Sequence, residues 1–256
     1  MNSADSLKII SERLLRENIC HVPLDERSLL LIEQYMRTRD TGSDLMRRLS
    51  NIEINYIQIN SEAEQACVNA INAKQEVTRT FKRLIDDWKA SGLLRDFTFM
   101  FTEDEINDMR ARFVSAYENI RFSSRIISDA LIVLGETSAQ IRACSASFME
   151  VYHETKLAIY AAMLNHDVDA ILDCRAISLQ AHASANESSR SSASFLGVAR
   201  NCTRMISLIN STVSEIIYTL KIDEENSFRI NITSPGKAAN LVNETIRALE
   251  LISLQN

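Results

Sequence analysis

Turn-forming residues are scarce. Five glycines and two prolines serve all 256 residues, well below the roughly 7% and 5% of an average protein. That shortage excludes a fold of many short strands and favours a few long elements. Aromatic residues make up only 6% of the chain, so a core must be assembled mainly from Ala, Ser, Ile and Leu. Positive charge is in deficit as well. The formal net charge is −6, which argues against nucleic acid as a partner, because phosphate binding needs a basic stripe. No apolar run approaches the roughly 18 residues of a membrane-spanning helix. The opening MNSADSLKII has no basic region followed by an apolar core, so no secretion signal is expected.

Five cysteines, Cys20, Cys67, Cys144, Cys174 and Cys202, are odd in number and widely scattered. They show neither disulfide-framework nor zinc spacing. Three of them, Cys144, Cys174 and Cys202, fall on apolar helix positions, where a free thiol behaves as a small hydrophobe. The expected setting is a reducing compartment such as the cytoplasm, with secretion by a signal-independent route as the alternative.

What is present is helical periodicity. The breakers Pro23, Gly42, Gly92 and Pro235-Gly236 separate periodic segments. Short helices are expected at 4–20 and 25–40, the second opening at Asp25. From Leu45 the apolar and small residues Leu49, Ile52, Tyr56, Ile59, Ala63, Ala66, Ala70, Ala73 and Val77 follow at alternating spacings of four and three. That alternation is a heptad seam, the mark of coiled-coil-like packing. A second seam opens behind the capping box Thr102/Glu105 and runs from Ile106 to Ala162. A third runs from Ile171 to Leu220. Between them the phase slips around NHDVD, residues 165–169, where a tight turn is expected with Asp167 as N-cap.

The expected fold is therefore all-α: one elongated domain, 1–256, formed by an antiparallel bundle of three long coiled-coil-like helices at 44–91, 103–164 and 168–221. At 1.5 Å per residue these would span roughly 70 to 95 Å. Folded back at the 165–169 turn, Gly135 and Gly197 come to the same height, which points to close backbone approach or a shared bend. The Ala63–Ala73 block is expected opposite bulky Phe122, Ile126 and Leu131. Two segments alternate as strands do: Phe97, Phe99 and Phe101 in DFTFMF, and Phe228, Ile230 and Ile232 in FRINI. Both fall at the same end of the bundle, so 93–101 and 227–233 are expected to pair as a small two-stranded β cap. A last helix, 237–254, would lie along the others through Leu241, Val242, Ile246, Leu249 and Ile252.

Catalytic chemistry finds little to work with. Glu150 and His153 form one E-x-x-H, but a carboxylate-bridged di-iron bundle needs a second copy and two further inward carboxylates. Both residues also miss the seam, so they are expected to face solvent. His166, Asp167 and Asp169 are explained by helix capping. No phosphate-binding glycine loop, H-E-x-x-H or G-x-S-x-G occurs. No catalytic residue, metal ligand, cofactor or small-molecule substrate is therefore expected. Serine-rich HASANESSRSSAS, 182–194, has a linker's composition yet keeps the seam spacing, and is expected to be a closely packed helix.

The functional expectation is a non-enzymatic helical rod that acts as a protein-protein interaction or scaffold module, with a protein partner or self-association. Charge is thin from about 130 to 195, which leaves apolar area for such contacts. The alternative is membrane contact through an apolar tip, Leu93, Leu94, Phe97, Phe99, Met100 and Phe101, by analogy with helical pore-forming toxins. A BAR-like membrane-bending dimer is the weaker analogy, because the charge balance gives it no basic face.

Overall fold

Long helices with few turn residues must end by some means other than glycine, and the helix ends show how. The computed structural model describes residues 3–38, 40–91, 102–220 and 234–254. These form six helices: α1 (Ser3–Arg16), α2 (Glu26–Arg37), α3 (Thr41–Ala90), α4 (Glu103–Leu164), α5 (Val168–Leu220) and α6 (Ser234–Leu251). Among the described residues there is no strand. The segments expected to form the β cap, 93–101 and 227–233, lie outside them.

Polar side chains start the helices. Asp25 accepts a hydrogen bond from the Ser28 amide at 2.8 Å to open α2. Thr102 and Glu105 bond reciprocally ahead of α4, the Glu105 amide to the Thr102 hydroxyl at 3.3 Å and the Thr102 amide to the Glu105 carboxylate at 2.9 Å. Two non-glycine residues end helices in the left-handed region, Asn18 at φ 55 and His166 at φ 57. Behind His166 the amide of Asp167 bonds back to Ala162 at 2.9 Å, and that of His166 to Met163 at 3.1 Å. This is a Schellman motif. Asp167 then accepts from the Ala170 amide at 3.0 Å, so one short segment closes α4 and opens α5.

Some boundaries differ from expectation. Helix α1 stops at Arg16 because Asn18 turns the chain there. Gly42 is no breaker: it lies in the first turn of α3, and the break comes before it, at extended Thr38. Pro235 and Gly236 likewise sit inside α6, where a proline in the first turn forfeits no helical hydrogen bond.

The chain divides into two compact units. Unit 1 holds residues 1–61 and 138–193. Within it α4 and α5 run antiparallel and very close, since Ser145 donates to the Ala185 carbonyl at 2.9 Å. Helix α3 is antiparallel to α4, with Arg48 on Glu154 and Asn55 near Cys144. Tyr56 meets Phe148 edge-on, with centroids 6.2 Å apart. The end of α4 is covered by α1 and α2, where Leu7, Ile10, Leu14, Leu29 and Ile32 pack with Ala161 and Leu164.

Unit 2 holds residues 62–137 and 194–256. Phe81, Trp88, Met109, Phe113 and Phe195 are fully buried in it, each such side chain contributing about 1.5–3 kcal/mol. Helix α6 buries Ala238, Ala239, Val242, Ile246 and Leu249. It is fixed by Lys82 on Glu250 at 2.7 Å and by a buried Thr212–Thr245 contact at 2.8 Å. The expected partners of the Ala63–Ala73 block are wrong for Phe122, which is 67% exposed. The α4 seam passes through Ile120 and Ser123, and Phe122 is turned away from it. Gly135 and Gly197 are not close-approach glycines either, since a Cβ at each would meet nothing within 4 Å.

Candidate functional site

The richest polar constellation is in unit 1, where α2 ends and α3 and α5 begin. Glu154 of α4 is mostly covered by its neighbours. Its carboxylate accepts from the Tyr35 hydroxyl at 3.0 Å and from both terminal nitrogens of Arg48, one of them at 3.2 Å. Burial, and then the Glu154 charge, push the Tyr35 hydroxyl far above its usual range. The Glu154 hydrogen bond also raises Arg48. A bidentate guanidinium and a neutral phenol on one carboxylate make a rigid clasp of α2, α3 and α4.

Beside the clasp lies a pocket of about 320 Å³ lined by Tyr35, Thr38, Thr41, Asn165, Asp167 and Cys174, among others. Its polar lining is engaged in helix ends. Asn165 donates to the Met36 carbonyl at 3.2 Å, Thr38 to Gln34 at 2.9 Å, and Asp167 caps α5. Burial, followed by the charges of Asp173 and Asp167, raises the Cys174 thiol. A protonated thiol is a poor nucleophile and a poor metal ligand.

A second group lies between α4 and α5 in unit 1. The Tyr152 ring has His182 at 4.9 Å, His153 at 5.3 Å and the Lys156 ammonium at 4.3 Å, centroid distances throughout. Glu150 and His153 are exposed, as their phase predicts. Among the described residues no group of three or more His, Cys, Asp or Glu is placed to hold a metal. None of their helices is long and apolar enough to cross a membrane. The tip residues Leu93, Leu94, Phe97, Phe99, Met100 and Phe101 lie outside the described residues.

Sequence reasoning missed the clasp. Tyr35 and Glu154 are 119 positions apart and Arg48 and Glu154 are 106 apart, so no local spacing could join them. A charged residue on the flank of an apolar seam was the only available signal. Comparison with protein-family models, curated proteins and solved structures finds no match to this chain.

Proposed function

We propose that the chain is a non-enzymatic helical module that works by binding other proteins, or copies of itself, through the outward faces of its helices. The observation carrying this reading is on α3. Tyr56 and Ile59 are buried in its seam, yet Ile54 and Ile57 beside them are 67% and 64% exposed. Met46, one further exposed apolar residue, lies on the same outer side. Single exposed hydrophobics are ordinary; Ile54, Ile57 and Met46 on one side of α3 together offer apolar area for a contact.

The clasp supports the same reading, because its carboxylate is engaged in joining three helices. Five free, buried thiols fit a reducing compartment, which belongs to this proposal. So does the expectation of one elongated domain over 1–256, which solution scattering tests.

The direct test is co-purification of the tagged full chain, with a second tag on another copy to read self-association. Recovery of a partner, or of the second copy, in near-equal amount is expected. Recovery of the chain alone under every condition overturns the reading.

A further inference from the structure

Helix α5 carries two heptad seams on opposite sides. One, through Cys174, Ala181, Ala185 and Ser188, is buried in unit 1. The other runs through Leu172, Ala176, Leu179, Ala183 and Asn186 at spacings of 4, 3, 4 and 3, and all five residues are exposed. Leu172 is 58% and Leu179 74% exposed. At about 100° per residue this outer seam lies diametrically across from the buried one. Its two edges carry opposite charge: Arg175 on one side, Asp173 and Glu187 on the other, all exposed. Among the described residues Asp173, Arg175 and Glu187 take part in no ion pair.

We propose that this outer face of α5 is the docking surface for a second copy of the chain, paired in parallel about a two-fold axis along the helix. The inference rests on the reading that outward faces bind proteins, and it names one such face, on α5, and its occupant. Charge selects the orientation. In a parallel pair the edge of each helix that carries Arg175 faces the other's acidic edge, which carries Asp173 and Glu187. In an antiparallel pair like edges would meet. The leucines repeat every seven residues with alanines between them, so in the parallel pair layers of two leucines alternate with layers of two alanines. In this register Asn186 comes level with its own counterpart in the second copy. Four turns give a contact only about 22 Å long, at the small end for specific interfaces, so association is weak and concentration-dependent.

The test is sedimentation of the full chain across micromolar to submillimolar concentrations, together with crosslinking. The average mass is expected to rise from 28.9 kDa toward twice that value. Leu172→Lys with Leu179→Lys should weaken association at least tenfold while leaving the melting curve unchanged. Asn186→Cys should crosslink to its own counterpart on mild oxidation. A wild-type chain that stays monomeric overturns the proposal, as does a double-lysine variant that dimerises equally well. A dimer whose Asn186→Cys variant fails to crosslink overturns the parallel register. A monomer that still binds another protein through these leucines overturns the second copy as occupant, yet leaves the broader reading standing.

Discussion

Ser138 and Ser192 exchange hydrogen bonds. Each hydroxyl donates to the other residue's backbone carbonyl at 2.8 Å, and both side chains are buried. Only residues this small let two helix backbones come within reach of each other's side chains, so the pair fixes both the separation of α4 and α5 and their register. Replacing either serine by alanine should cost about 1 kcal/mol. The double variant should cost less than the two singles together, because the bonds share one local geometry. Ser138→Leu should cost more than either, about 1–3 kcal/mol, by forcing the helices apart. Urea unfolding of the four proteins checks the order.

Gly135 and Gly197 are helix-interior glycines with open space where a Cβ would go. Alanine at either position should therefore stabilise the protein by about 0.5–1 kcal/mol. A loss of stability at both would instead mark a backbone geometry that needs glycine.

Helix C-termini are held largely by side chains from neighbouring helices. Arg13 reaches the Leu164 carbonyl at 3.0 Å, Arg110 reaches Leu220 at 2.6 Å, and Asn201 reaches Ser253 at 2.8 Å. A chain so short of glycine has few other ways to satisfy final carbonyls. Arg110→Ala should cost about 1–2 kcal/mol, with Arg110→Lys intermediate. At the α4–α5 turn His166→Gly should gain up to about 1 kcal/mol, and Asp167→Ala should lose about 1 kcal/mol. Thermal melts of these variants provide the check.

Burial pushes the Cys67 and Cys202 thiols of unit 2 up to about 11, from an ordinary 9.0. Below pH 9 both the folded and the unfolded chain keep these protons. Between pH 9 and 11 the unfolded chain releases protons that the folded chain retains, so stability falls as pH rises through that window. Cys67→Ala with Cys202→Ala should flatten the decline measured by urea midpoints. All five thiols should also resist alkylation near neutral pH until the protein is denatured.

Much of this architecture is legible in the heptad spacing. Of the α4 seam residues from Ile106 to Ala162 all are buried except Ala116, which is half-buried. Period and phase suffice there because one face of each helix must be covered. The 165–169 turn is visible only as a slip in that phase, since His166 adopts a conformation that sequence patterns assign to glycine. Phe122 was misplaced because its bulk invites burial, whereas its angular position directs it to solvent. The clasp was invisible because it joins side chains more than a hundred residues apart.

The most direct measurement compares two variants of α3 for stability and for partner retention. If the outward isoleucines serve contacts rather than the fold, Ile54→Lys with Ile57→Lys will melt within about 0.5 kcal/mol of the wild type and lose any co-purifying protein other than a second copy. Leu49→Lys, at a fully buried seam position, will fail to fold. An Ile54→Lys/Ile57→Lys protein that unfolds, or that still retains a co-purifying protein other than a second copy, contradicts the account.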